Sequence, residues 1–164
     1  MDGNVTKTSA LKLNFLSHGT LEAKNLENTR KFYEEFLGLD VVRTSPISIL
    51  IRLGGDNTIA VVEQKNKKDV MSVLNHNGLD VETQEEVDAA YETCIAQAEQ
   101  WGMHKITKPV LQHGTYSFYI WDLDDNCWEI LTNPKGGYAW LFEQRDQQGK
   151  GHLDKKFARP GAKA

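Results

Sequence analysis

Apolar positions recur at helical spacing in two stretches of the chain and alternate with polar ones in several others. Leu26, Thr29, Phe32, Tyr33, Phe36 and Leu37 form one helical stripe, with Asn25 placed to cap its start and Gly38 to end it. Val87, Ala90, Tyr91, Cys94, Ile95, Ala98 and Trp101 form a second, opened by a capping box of Thr83 and Glu86 and closed by Gly102. Around them, DVVRT, ISILIRLG, NTIAVVE, TYSFYIW and CWEILT are short runs rich in β-branched and aromatic residues, which read as strands. Each half of the chain therefore reads βαβββ, an α+β pattern, and two such modules can curve a mixed sheet around a shared cavity.

The halves are copies of one pattern. With His18 laid over His76, Leu21 falls on Leu79 and Ala23 on Val81. With GDNTIAVVE laid on DDNCWEILT, Asp56 and Asn57 fall on Asp125 and Asn126, and Ala60 on Glu129. The second half carries extra residues around HKITKPVLQHG, read as an inserted loop. The expected boundaries are a frayed polar lead over 1–10, one domain over 11–133 (modules at about 11–64 and 74–133), and an extension over 134–164. In that extension Tyr138, Trp140, Leu141 and Phe142 form an aromatic patch suited to a lid or a dimer arm, followed by a polar tail.

Within SFYIWDLDDNCWEIL, a turn centred near Asp124 sets Tyr119 across from Glu129 and Trp121 across from Cys127. Tyr116, Phe118, Ile120, Trp128 and Ile130 then face the helices, while Tyr119 and Glu129 face the concave side. Asp122, Asp124 and Asp125 lack the spacing of a calcium loop and read as turn chemistry.

Composition narrows the function classes. A formal charge of −4 with mixed signs and no basic run interleaved with aromatics argues against a nucleic-acid surface. No apolar stretch approaches the ~20 residues of a membrane span, and the first ten residues lack the features of a secretory signal. Cys94 and Cys127 read as small core residues in a reducing compartment, so the expected location is cytoplasmic.

Candidate chemistry rests on His18, His76 and Glu129. Two imidazoles and one carboxylate suit Fe(II), Mn(II), Zn(II), Ni(II) or Co(II) and leave positions open for substrate, which points to a small metalloenzyme. A lone strand histidine is more often structural; the joint repeat position of the three is what favours a metal site. Ala60 holds the place where a fourth, pseudo-symmetric ligand would stand, and Glu63 falls on the opposite face of its strand. His104 and His152 read as solvated loop residues.

These residues resemble the vicinal oxygen chelate superfamily of glyoxalases, extradiol dioxygenases, epimerases and antibiotic-resistance proteins. LSHGTLEAKNLENTRKFYEEFLGLDVV looks like that family's opening strand and helix, NHNGLDV like the start of its second module, and DLDDNCWEI like its closing turn and strand. The resemblance spans roughly residues 11 to 133 and implies metal ligands His18, His76 and Glu129. Ala60 departs from the glyoxalase branch, which has a fourth ligand there. Tyr119, ten residues ahead of Glu129, looks like the extradiol branch, in which such a tyrosine bonds a bound catecholate. That branch implies Fe(II), O2 and an aromatic substrate with vicinal oxygens, with His113 as a proton carrier. His113 beside Gly114 also reads as an ordinary turn pair. Trp121, Phe15 and Ile49 are candidate wall residues. The alternatives are a lyase, isomerase or epimerase on another divalent metal and a metal-free small-molecule binder, and a homodimer is expected because paired modules leave sheet edges to cover.

Overall fold

A computed structural model describes residues 10, 11, 13–112, 114–133, 136–144 and 146. Residues 1–9 of the expected polar lead, His113, His152 and most of the tail lie outside the described residues, as do the side chains of Trp140 and Gln144.

The first module runs β1 (His18–Ala23), α1 (Leu26–Lys31), β2 (Asp40–Ser45), β3 (Ser48–Arg52) and β4 (Thr58–Glu63), with a π-helical turn over Phe32–Phe36 prolonging α1. The second, after a 3-10 turn at Val73–Asn75, runs β5 (Asn77–Val81), α2 (Gln84–Trp101), β6 (Lys105–Ile106), β7 (Val110–Gln112), β8 (Thr115–Trp121) and β9 (Cys127–Thr132); a short α3 (Trp140–Gln144) follows. No described helix is long and apolar enough to cross a membrane.

Local chemistry sets both helices. Asn25 Oδ1 accepts from the Asn28 amide at 3.0 Å, and Gly38 adopts φ +70°, a left-handed conformation that suits glycine. Thr83 and Glu86 form the reciprocal capping box, and Gly102 closes α2 at φ +69°. The α1 stripe is buried at Leu26, Thr29, Phe32 and Tyr33. The α2 stripe is narrower than expected, since Ile95 is 48% exposed and flanks the buried line through Val87 and Cys94.

The repeat is preserved in strand register. β1 pairs parallel with β4, Thr20 opposite Ala60, and β5 pairs parallel with β9, Gly78 opposite Glu129. Thr20 and Gly78 are equivalent residues, as are Ala60 and Glu129, so the two halves share one frame. The sheets run β1-β4-β3-β2 and β5-β9-β8-β6, with β7 also on β8. The expected inserted loop is thus a correction: Lys105–Ile106 and Val110–Gln112 are two pieces of one outer strand, the counterpart of β2. Pro109 has no N–H to give the ladder, and the break is bridged by Thr107, whose Oγ1 accepts from Tyr119 N at 2.9 Å.

The helix-bearing faces of both sheets share one core, in which Leu21, Ile49, Ile51 and Val61 join Phe118, Ile120, Trp128 and Ile130. Aromatic side chains tie the modules: Tyr33 meets Trp128 edge-on at 5.6 Å, and Phe32 meets Trp101 at 5.9 Å. The turn after β8 adds a polar clasp. Asp124 accepts from Lys24 N at 2.6 Å and Thr29 Oγ1 at 2.5 Å, and Asn126 Nδ2 donates to the Glu22 carbonyl at 2.9 Å. Asp122, fully buried, accepts from Tyr33 Oη at 3.1 Å and Trp128 Nε1 at 3.0 Å. The turn carboxylates therefore join one module to the other as well as shaping the hairpin.

Candidate metal centre

The hairpin turn places Glu129. Asp122 Oδ1 accepts from the amides of Asp124 and Asn126, each at 2.9 Å, and Asp125 takes φ 65° between them. This fixes Trp121 opposite Cys127 and Tyr119 opposite Glu129, as expected from the sequence. Because Phe118, Ile120, Trp128 and Ile130 go into the core, Glu129 and Tyr119 are carried on the other face of the sheet, where Glu129 is nevertheless 5% exposed.

His76 reaches Glu129 from the entry of β5. The 3-10 turn before it is capped by Ser72 Oγ, which accepts from Leu74 N at 3.2 Å. His76 Nδ1 lies 2.5 Å from the Val73 carbonyl oxygen, and Nε2 lies 3.1 Å from Glu129 Oε2. A carbonyl can only accept, so Nδ1 carries a proton. In the neutral ring Nε2 then presents a lone pair to a carboxylate oxygen, and two acceptors at that distance need a cation between or beside them: a proton on Nε2, or a metal ion. The bond from the far ring nitrogen to a carbonyl is also the support that orients metal-bound histidines. The donor types and the orientation both fit a divalent ion.

Tyr119 completes the described cluster. Its ring meets His76 edge-on at 5.1 Å, and its hydroxyl accepts from Gln112 Nε2 at 3.3 Å with the Glu129 charge nearby. Burial, with the Glu129 charge behind it, holds the phenol far above its ordinary range, so it remains a neutral donor. Gln112 was not foreseen, because its reach depends on β7 being a strand.

His18 stands apart. It opens β1 in an exposed position, paired in register with Thr58, and its Nδ1 lies 3.0 Å from Ser17 Oγ. Among the described residues no group of three or more His, Cys, Asp or Glu side chains is placed to hold a metal ion. The reason is the shared core: the modules pack by their helix-bearing faces, so the faces bearing His18 and Glu129 turn away from it. Within one chain, His76 and Glu129 come together and His18 does not join them.

The wall candidates divide. Trp121 lies on the Glu129 face, its Nε1 donating to the Met71 carbonyl at 2.8 Å and Lys105 Nζ 4.0 Å from its ring centroid. Ile49 is corrected to a core residue with no exposure, and Phe15 is 79% exposed. Both cysteines are free and buried, and burial pushes the thiols up to about 11 for Cys94 and about 12 for Cys127, as befits packing residues. His104 is exposed as expected and pairs with Asp125 at 3.0 Å. Tyr138 Oη lies 3.1 Å from Thr115 Oγ1, so the start of the extension packs on the second module. A cleft of about 550 Å³ lies elsewhere, between Ile51, Thr58 and Ile59 of the first sheet and Asn77, Gly78 and Trp128 of the second.

Solved structures share this architecture. The genomically encoded fosfomycin resistance protein FosX of Listeria monocytogenes is 21% identical, with a TM-score of 0.57 over 74% of this chain and 95% of that one. The chain has the vicinal oxygen chelate fold. A glyoxalase/bleomycin resistance protein from Albidiferax ferrireducens matches at 21% identity and TM-score 0.54, over 73% of this chain and 98% of that one. A lactoylglutathione lyase from Agrobacterium tumefaciens matches at 18% and 0.54, over 77% and 98%. No family model matches the chain, and no curated protein sequence does. The vicinal oxygen chelate likeness is therefore one of fold, and what the site does is argued from its own residues.

Proposed function

We propose that this chain is a divalent-metal enzyme working as a pair of copies, in which His76 and Glu129 of one copy and His18 of the other hold the ion. The observation that carries this reading is the 3.1 Å approach of His76 Nε2 to Glu129 Oε2 with Nδ1 committed to the Val73 carbonyl. His18 begins the equivalent strand and is exposed, so a second copy can use it. β1 and β5 are each the outer strand of their sheet, which leaves an edge for a second copy.

A bound divalent ion would supply Lewis acidity to a small molecule held through two adjacent oxygens, leaving the protein to orient it and manage protons. Tyr119 keeps its proton, so it donates to a substrate oxygen or gives the proton up as a general acid. Gln112 fixes the phenol by donating to it, and the low exposure of Glu129 keeps bulk water from competing for the carboxylate.

A redox-neutral lyase, isomerase or addition reaction on Mn(II), Zn(II), Ni(II) or Co(II) is favoured, since structures of the same fold carry the names lactoylglutathione lyase, glyoxalase and fosfomycin resistance protein. A second reading, an extradiol dioxygenase using Fe(II), O2 and a catechol-like substrate, is favoured by Tyr119 beside Glu129, with His113 as its proton carrier. Two free buried thiols suit a cytoplasmic setting for either. Elemental analysis of protein purified without oxygen tests the metal, with about one ion per chain expected and its loss in His76→Ala. Turnover of a substrate panel without oxygen supports the first chemistry, and O2 uptake with a catechol supports the second. Metal-free wild-type protein after reconstitution, with an unchanged melting temperature, contradicts both and leaves a metal-free binding protein.

A further inference from the structure

The repeat that lays His18 over His76 also lays Leu16 over Leu74 and Phe15 over Val73. Leu16 is 89% exposed and Leu74 88%, higher than any other large apolar side chain among the described residues. Leu13 and Phe15 accompany the first at 78% and 79%, and Val70 and Val73 accompany the second at 57% and 38%. One exposed leucine needs no explanation. Two at equivalent positions, each two residues ahead of a histidine and at the entry of an outer strand, share a cause.

We infer that the apolar segments ahead of β1 and β5 are the docking surface for a second copy of this chain, with Leu16 and Leu74 as its anchors. The inference rests on the shared-centre reading and says which side chains hold the copies together. If His18 of one copy stands beside His76 of the other, a residue two positions upstream of either lies within about 7 Å of the junction, the most that two residues of chain can span. Leu16 and Leu74 are then pressed against the other copy, and two-fold symmetry repeats each contact. Their burial would also lay an apolar border beside the imidazoles.

The test is sedimentation velocity over a dilution series, with metal content measured on the same samples. Wild type is expected to dimerise, and Leu16→Asp and Leu74→Asp are each expected to raise the dimer dissociation constant by about tenfold or more. Leu16→Ala and Leu74→Ala shift it the same way by less. Ile95→Asp, at a half-exposed position on α2, leaves it unchanged. The monomeric variants keep the wild-type circular dichroism, since side chains so exposed contribute little to the fold of one copy. Aspartate variants that dimerise like wild type overturn the docking surface and leave the shared centre standing. The docking surface is overturned in the same way if the aspartate variants unfold while the alanine variants dimerise like wild type. A wild-type monomer that binds metal overturns both.

Discussion

His76 Nε2 approaches Glu129 Oε2 to 3.1 Å, from the entry of β5 to the strand β9 that pairs with it. Since Nδ1 keeps its proton to donate to the Val73 carbonyl, the approach favours a cation at Nε2. Glu129→Gln keeps the shape of the side chain and removes its charge. It is expected to weaken divalent-metal affinity by about 100-fold or more, measured by competition with a chelating dye, with the fold intact.

Tyr119→Phe removes a hydroxyl that stays protonated because it is buried beside a carboxylate. The ring and its edge contact with His76 remain, so metal content is expected to hold while kcat falls by roughly 100-fold or more. An equal loss of metal would mark the tyrosine as a support of Glu129 instead. Single-turnover rates with matched metal loading separate the two.

Asp122 tests the clasp between modules. Burial pushes its carboxyl from 3.8 up to about 6, against bonds from Trp128 and the Asn126 and Asp124 amides that pull it down. A carboxyl raised on folding favours the protonated folded state, so its contribution is fully present below about pH 4 and is lost as pH rises through about 6. Asp122→Asn turns an amide donor towards groups that already donate, and is expected to cost about 2 kcal/mol at pH 7. The gap between wild type and variant should widen towards pH 4, by up to about 3 kcal/mol. Denaturant unfolding of both proteins from pH 4 to 8 measures it.

Much of this was legible in the sequence where the cause is local. The caps Asn25 and Thr83, the stops Gly38 and Gly102, and the alternation that sends Phe118 and Trp128 one way and Tyr119 and Glu129 the other depend on neighbouring residues. The pairing of His76 with Glu129 was legible through the repeat. What escaped depends on how whole faces pack. Ile49 alternates as well for a cavity wall as for a core, and only the meeting of the two helix-bearing faces settles it. That same meeting keeps His18 away from Glu129, and no property of either residue announces it. Gln112 escaped because Pro109 makes a broken strand look like a loop.

The shared centre is tested most directly by mixing two defective variants. His18→Ala and His76→Ala homodimers each lack one ligand at both centres, whereas their heterodimer contains one complete centre and one lacking both histidines. After unfolding and refolding together in equal amounts, the mixture is expected to bind about a quarter of the wild-type metal, while each variant alone binds almost none. A mixture that stays as empty as its components contradicts the sharing of His18 between copies.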